Sequence, residues 1–219
     1  MSHGYWELSS TEFIATEVQA GMTVIDAGAN VGYYSVLMGD KIGANGFLYV
    51  IEPTPTLKSN LEKTLFLNGF TGRYQLSTAP LWSTDNLDIR FAVPNKDTKN
   101  SSIISDSHPA VDWTMLKITT LDALVPPGKS VDFIKVDVEG AEHELWRGMK
   151  RVLSESPGIT VFLEYNAGRL HDPAMFLDDV VAAGFILKHL DPLKGPAEVS
   201  KDQLLSENFG HDWMLVLKR

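Results

Sequence analysis

A short segment with two glycines, residues 26–35, has the composition of a ligand-binding turn. It reads Asp-Ala-Gly-Ala-Asn-Val-Gly-Tyr-Tyr-Ser and begins where an apolar stretch, Thr23–Asp26, ends. Glycines between a strand and a helix allow backbone N–H groups to approach a ligand that lies beyond the strand end. Glycines in this position can also serve only to form a tight turn, so this segment alone leaves its role open.

Two acidic residues at predicted strand ends indicate which ligand the turn would hold. Asp26 ends the first strand, and Glu52 ends the next one, 24 residues after Gly28. A carboxylate suits a ligand that carries ammonium and sulfonium groups better than it suits a pyrophosphate. An acid at the end of the second strand can accept hydrogen bonds from both ribose hydroxyls. The pair favours S-adenosylmethionine over a dinucleotide, although Glu52 could also be a solvated acid before Pro53.

We predict that the cofactor contacts come from the glycine turn and from the ends of the second and third strands. The predicted contact residues are Asp26, Gly28, Asn30, Gly32, Tyr33, Ser35, Glu52, Pro53, Thr78 and Ala79. The last two belong to the segment 77–82, where apolar side chains could flank the adenine ring. Trp82 in the same segment could contact adenine or cap the core.

Four ionisable residues follow a later apolar strand, residues 131–136, and would face the same cleft. They are Asp137, Glu139, Glu142 and His143. We predict that Asp137, Glu139 and His143 are catalytic, because a base that takes the hydroxyl proton assists methyl transfer to oxygen. Histidine is the residue type best suited to act as a base near neutral pH. Glu142 and His143 could instead form an exposed first helical turn whose acid complements the helix dipole.

A magnesium ion is a further way to assist the transfer. Glu164 and Asn166 end the strand that follows, and they would converge with Asp137 on an oxygen-rich site. Carboxylate and amide oxygens suit Mg²⁺. The spacing is not characteristic of a metal-binding motif, so the prediction does not commit to a metal.

Segments of strand length and helix length alternate along the chain and must position these residues. This pattern predicts an α/β fold of the Rossmann-like type, with a mostly parallel sheet and helices on both faces. One helix is expected over residues 141–153. The strands are expected at residues 23–26, 47–51, 131–136, 159–163, 185–190 and 213–217. The proline-interrupted segment 77–120, which includes a short strand at Leu87–Phe91, is expected to elaborate this domain.

The composition narrows the classes of function. With 219 residues, of which 44% are hydrophobic, the chain can bury one core, and we predict a single domain over residues 1–219. The sequence has no apolar segment long enough for a membrane span and no N-terminal signal, so we expect a cytoplasmic protein without a membrane partner. The absence of cysteine excludes disulfides and thiol catalysis. The net charge of -9 disfavours nucleic acid and favours a small acceptor. The oligomeric state is not predicted.

Four blocks of the sequence resemble the FkbM family of class I S-adenosylmethionine-dependent methyltransferases. They are residues 25–35, 50–55, 120–124 and 132–142, with Gly148 ending the helix of the last block. The resemblance implies a seven-stranded sheet with an antiparallel last strand, and O-methylation of a hydroxyl on a sugar, a glycan or a polyketide-like metabolite. It implies cofactor contacts at Asp26, Gly28, Asn30 and Glu52, with Asp137 and Glu139 near the reacting groups. Only 25 residues precede Asp26, so the chain could be one domain excised from a larger protein.

Two other functions fit part of this pattern. A catalytically silent module that binds S-adenosylmethionine or docks in a biosynthetic assembly would keep Asp26, the glycine turn and Glu52 without turnover. A nicotinamide-dependent oxidoreductase is a weaker alternative. The full Gly-x-Gly-x-x-Gly pattern is missing, and Asp26 ahead of the glycines disfavours a pyrophosphate.

Overall fold

The structure is a computed structural model that describes residues 6–93, 102–103, 112–206 and 212–219. Its helices are α1 (Leu8–Glu17), α2 (Tyr33–Lys41), α3 (Lys58–Leu67), α4 (Leu121–Leu124), α5 (Glu142–Arg147), α6 (Lys150–Glu155), α7 (Pro173–Ala182) and α8 (Lys201–Ser206). Its strands are β1 (Thr23–Ala27), β2 (Phe47–Ile51), β3 (Tyr74–Ser77), β4 (Asp88–Val93), β5 (Ser102–Ile103), β6 (Asp112–Lys117), β7 (Phe133–Val136), β8 (Thr160–Tyr165), β9 (Ile186–Asp191), β10 (Gly195–Glu198) and β11 (Trp213–Lys218).

Eight strands form the main sheet, in the order β10-β9-β11-β8-β7-β1-β2-β3. Neighbouring strands from β8 to β3 pair in parallel, and β11 pairs antiparallel to both β8 and β9. The α/β fold and the antiparallel last strand are therefore confirmed. The count of seven strands is too low by one, because β10 pairs with β9 as an edge hairpin. Its sequence, Gly-Pro-Ala-Glu, lacks the apolar alternation that reveals a strand.

The central strands are buried along their whole length because helices cover both faces of the sheet. All five residues of β1 and all four of β7 are buried. Successive residues of β8 contribute to opposite cores, with Phe162 packing on the side of α1 and α2 and Leu163 packing on the side of α5 and α7. Among the described residues, no helix has the length and apolar character needed to cross a membrane.

A helix predicted over residues 141–153 is instead two short helices, α5 and α6, separated at Gly148. A side chain at Gly148 would place its Cβ only 2.0 Å from the carbonyl oxygen of Trp82. The backbone of the segment before β4 therefore lies directly against the break. Trp82 consequently packs beside α5, and its backbone N–H donates to the carbonyl oxygen of Thr119.

A second, three-stranded antiparallel sheet has the order β5-β4-β6. The predicted strand at Leu87–Phe91 corresponds to β4, and β6, which pairs with it over six residue pairs, was not predicted. Phe91 is buried on β4 and reaches the cleft described below. This elaboration therefore contributes to the wall of the functional site.

Candidate active site

A cleft opens where β1, β2 and β7 end together at the carboxyl edge of the main sheet. Six of the residues predicted from the sequence line it: Gly28, Asn30, Glu52, Pro53, Asp137 and Glu139. Parallel strands bring these residues together although Asp137 follows Pro53 by 84 positions in the sequence.

The glycine turn has a left-handed backbone at three positions. Gly28, Asn30 and Gly32 have φ angles of 81°, 51° and 90°. At Gly28 a side chain is also sterically impossible without rearrangement, since its Cβ would lie 1.7 Å from the carbonyl oxygen of Asp137. The turn and the end of β7 are thus in direct backbone contact, which positions Asp137 beside the cleft.

The Glu52 carboxylate is held at the base of the cleft by two backbone N–H groups. The N–H of Asn30 donates to Oε2 at 2.7 Å, and the N–H of Thr54 donates to Oε1 at 2.8 Å. The side chain is buried, yet it lines the cleft. Because a carboxylate oxygen has two lone pairs, each oxygen can accept one more hydrogen bond. Two adjacent hydroxyls, such as those of a ribose, would complete this site, so Glu52 fits a nucleoside ligand.

Asp26 lies beneath the cleft and does not line it. Its side chain has no solvent exposure, the hydroxyl of Ser35 donates to its Oδ2 at 2.5 Å, and its Oδ1 lies 3.7 Å from Nζ of Lys135. Burial raises the pKa of Asp26, while Lys135 and Ser35 oppose that rise. Both side chains are buried and stabilise the turn from below; contact of Asp26 and Ser35 with the cofactor stays a prediction.

Lys135 joins the three segments that surround the cleft. Its ammonium donates to the carbonyl oxygen of Gly28 at 3.0 Å and to Oδ2 of Asp137 at 3.2 Å, besides its ion pair with Asp26. Burial lowers the pKa of Lys135, but the carboxylates of Asp137 and Asp26 outweigh that effect and raise it overall. Lys135 therefore remains a cation although its side chain is only 4% exposed. No role was predicted for it from the sequence.

Four other predicted contacts lie outside the lining of the cleft. Gly32 caps α2 and faces Leu61, and the hydroxyl of Tyr33 lies 3.1 Å from that of Thr11 in α1. Thr78 and Ala79 are also not among the lining residues, whereas the next two residues, Pro80 and Leu81, are.

The apolar wall at this end of the cleft is completed by Phe91 from β4. Pro80, Leu81 and Phe91 form a surface suited to a flat ring such as adenine. No motif near Phe91 marks it in the sequence. Its position depends on how the second sheet folds back over the first.

Glu139 lines the cleft in an unusual backbone conformation, with a φ of 51°. Its Oε2 forms an ion pair with Nη1 of Arg169 at 3.0 Å. Burial raises the pKa of Glu139, and Arg169 opposes that rise. Asp137 and Glu139 therefore both line the cleft. Asp137 shares Lys135 with Asp26, and Glu139 shares Arg169 with two other acids, so carboxylates outnumber the cations that pair with them.

His143 does not line the cleft, and its role as a base stays a prediction. Its Nε2 lies 2.8 Å from Oδ2 of Asp179 on α7, and its ring packs against Phe176 at 5.5 Å. The predicted role required a helix that begins early enough to place Glu139 and His143 on one face. The helix α5 begins only at Glu142, after the left-handed turn at Glu139 and Gly140, so the two side chains diverge.

The proposed magnesium ligands do not form a metal cluster. Glu164 and Asp212 both bind Arg169, whose Nη1 and Nη2 lie 2.8 Å and 3.0 Å from their carboxylates. Asn166 donates to Asp212 at 2.8 Å. Within the described ranges, no group of three or more histidine, cysteine, aspartate or glutamate residues could hold a metal ion. A magnesium site therefore has no support in this geometry.

The chain is similar in sequence to Methyltransferase 1 of Beauveria bassiana strain ARSEF 2860. The two are 26% identical over 145 residues, which are 58% of this chain and 57% of that protein. The chain therefore matches little more than half the length of this relative.

Two solved structures share the fold. The FkbM methyltransferase of Methylobacillus flagellatus KT has a TM-score of 0.56 and 15% identity, with 91% of this chain and 44% of that chain covered. A putative rRNA-methylase of Clostridium thermocellum has a TM-score of 0.55 and 13% identity, with 95% and 92% covered. These likenesses confirm the class I methyltransferase fold and, at such identities, nothing finer.

A family model described as the Methyltransferase FkbM domain matches residues 26–188. The match extends from Asp26 at the glycine turn into β9, and it includes the residues that line the cleft. It spans far more than half of the chain, which confirms the resemblance found in the four sequence blocks. This chain belongs to the FkbM family of methyltransferase domains.

Proposed function

We propose that this chain uses S-adenosylmethionine as a methyl donor and methylates a hydroxyl oxygen of a small acceptor. The observation that carries this proposal is the Glu52 carboxylate, which is buried, fixed by two backbone N–H groups and still open to the cleft. Dinucleotides and S-adenosylmethionine share a ribose, so Glu52 by itself fits both. The residues of the cleft that do not contact the ribose distinguish S-adenosylmethionine from a dinucleotide.

The charge of the cleft favours a cationic donor over a pyrophosphate. Asp137 and Glu139 line its other half, and pyrophosphate oxygens would be repelled there. The ammonium and sulfonium groups of S-adenosylmethionine would be attracted instead. Gly28, Asn30 and Glu52 would hold the donor, which supplies an electrophilic methyl group when bound.

A hydroxyl acceptor fits the acidic edge of the site. A hydroxyl oxygen becomes a better nucleophile when a nearby carboxylate accepts its proton, and the cleft residues Asp137 and Glu139 have a further carboxylate, Glu164, beside them at the end of β8. The net charge of -9 disfavours an acceptor with a phosphate backbone. We therefore extend the proposal to hydroxyls of sugars, glycans or polyketide-like metabolites.

The test is methyl transfer from S-adenosylmethionine labelled in its methyl group to a panel of hydroxylated acceptors. The label is expected in a methyl ether, and Glu52→Ala is expected to reduce its transfer by weakening donor binding. Glu198→Gln, an exposed position on β10, is the matched control and should not change the rate. Tight donor binding with no transfer to any acceptor would instead favour a silent binding module.

A further inference from the structure

A second pocket lies at the same carboxyl edge of the main sheet, beyond β8. It is formed where β8, β9 and β11 approach the start of α1. Glu164, His189 and Asp212 are among the polar residues of its wall, and Leu190 and Met214 are among the apolar ones. The pocket lies next to the cleft because β8 is the neighbour of β7.

Glu164 connects the second pocket with the cleft. Val136 on β7 pairs with Leu163 on β8, so Asp137 and Glu164 follow at the same level of the sheet. Arg169 bridges the two sites: its Nη1 lies 2.8 Å from Oε1 of Glu164 and 3.0 Å from Oε2 of Glu139. Glu164 thus lines the second pocket, and Arg169 connects it to Glu139 in the cleft.

The surroundings of Glu164 make its carboxylate a stronger base than an ordinary glutamate. Burial raises the pKa of Glu164 to about 7, and the nearby carboxylates of Asp137 and Asp212 contribute to that rise, whereas Arg169 opposes it. Lys135 on β7 is the other nearby cation, and Glu7 and His189 face the same pocket. General bases work best when their pKa is close to the working pH.

The other candidate bases are less suitable. His143 and Glu142 line neither the cleft nor the second pocket, although burial also raises the pKa of Glu142 to about 7. Asp137 is bound to the buried ammonium of Lys135. Glu139 lines the cleft that is proposed to hold the donor and does not line the second pocket.

From these positions we propose that Glu164 is the general base and that the acceptor reaches it through the second pocket. The inference rests on the proposed O-methyltransferase function. In the step, the acceptor oxygen forms a bond to the methyl carbon, and the carbon–sulfur bond breaks with its electron pair going to sulfur. The hydroxyl proton passes to the carboxylate of Glu164, so charge and atoms balance. Arg169 is a positioning residue that holds this carboxylate at the junction of the two sites.

The experiment compares the pH dependence of kcat/KM for the wild type, Glu164→Gln and the control Glu198→Gln. In the wild type, kcat/KM is expected to fall as the pH drops through about 7, because the protonated carboxyl cannot accept a proton. Glu164→Gln is expected to lower kcat by roughly 10²- to 10⁴-fold and to remove this acid limb. Donor affinity measured by calorimetry should stay unchanged, and Glu198→Gln should behave as the wild type.

An active Glu164→Gln enzyme with an unchanged acid limb would overturn the role of Glu164 and leave the proposed function intact. A wild type that transfers no methyl group to any hydroxyl would overturn the proposed function itself. A measurement that needs no turnover separates the two cases. Carbon NMR of the protein labelled at its glutamate carboxyl carbons follows the titration of Glu164. The resonance of Glu164 is identified as the one that is missing in Glu164→Gln. A Glu164 carboxyl that titrates in the ordinary glutamate range would also overturn the inference.

Discussion

The buried ammonium of Lys135 offers the sharpest test of how the site is held together. We predict that Lys135→Met, which shortens the side chain by one atom and removes its charge, destabilises the fold strongly. Nζ lies 3.7 Å from Oδ1 of Asp26, and the two side chains are 4% and 0% exposed. At an effective dielectric constant of about 20, this separation corresponds to about 4 kcal/mol of attraction. Removing one partner of a buried pair typically costs about 3 to 5 kcal/mol because the other charge stays buried.

The chain contains a matched control for this variant. Lys117 and Asp88 form an ion pair with the same 3.7 Å separation, but their side chains are 59% and 61% exposed. Lys117→Met is therefore expected to cost at most about 1 kcal/mol. Denaturant unfolding at neutral pH measures the free energy of unfolding of both variants.

Adding Asp26→Asn to Lys135→Met separates the ion pair from other effects of the substitution. Because an asparagine side chain carries no charge, the double variant should recover much of the loss, giving a coupling energy of at least about 2 kcal/mol. The loss in Lys135→Met should also shrink in acid. Without Lys135, the raised pKa of Asp26 would rise further, and protonation would remove the buried charge. Additivity of the two substitutions within about 0.5 kcal/mol would refute this account.

Three further variants test other parts of the structure. His143→Ala is expected to lower the free energy of unfolding by about 1 to 3 kcal/mol through lost contacts with Asp179 and Phe176. Methyl-transfer assays should show kcat almost unchanged. Loss of the acid limb from the pH profile of kcat/KM in this variant would support His143 as the base. Burial raises the pKa of Glu142 from 4.5 to about 7, so Glu142 should contribute a loss of about 3 kcal/mol of stability as the pH rises through this interval. The pKa of Glu164 is also raised and contributes in both proteins, so unfolding at several pH values should show Glu142→Gln losing about 3 kcal/mol less than the wild type; identical pH profiles would contradict this. Gly28→Ala should lower the free energy of unfolding clearly more than Gly128→Ala. Both glycines have a positive φ, but only at Gly28 would the added Cβ overlap backbone atoms, those of Asp137. Equal losses of stability in thermal unfolding would exclude this contact.

The features that the sequence predicted correctly depend on local pattern and on parallel topology. The positive φ angles at Gly28 and Gly32 match the residue type that best tolerates them. Glu52 was found because the end of the second strand of a parallel sheet lies beside the turn after the first. The glycine turn follows from the local sequence, and the position of Glu52 follows from the order of the strands.

The features that the sequence missed depend on details of packing. His143 was misplaced because one left-handed residue, Glu139, delays the start of α5 and turns the imidazole towards α7. Asp26 was placed in the cleft because the pattern locates the strand end but does not show which way the carboxylate points. Its partner Lys135 comes from β7, more than 100 positions later.

The contribution of Phe91 was also beyond a local sequence pattern. Its strand, β4, lies in a region of prolines and polar residues, and its partner β6 begins 19 positions after β4 ends. The antiparallel pairing of β4 with β6 places Phe91 on the same wall of the cleft as Pro80 and Leu81. Glu164, which we propose as the base, was considered in the sequence only as a magnesium ligand. Its partner in the structure, Arg169, follows it outside any strand.

Calorimetric titration of S-adenosylmethionine into the wild type and into folded Glu52→Ala tests the central claim most directly. We predict saturable binding to the wild type and a loss of about 1 to 3 kcal/mol of binding free energy in the variant, as expected when hydrogen bonds to a charged group are removed. Glu198→Gln should bind as the wild type does. Equal affinity of the wild type and Glu52→Ala, or tighter binding of a nicotinamide dinucleotide than of S-adenosylmethionine, would contradict the claim.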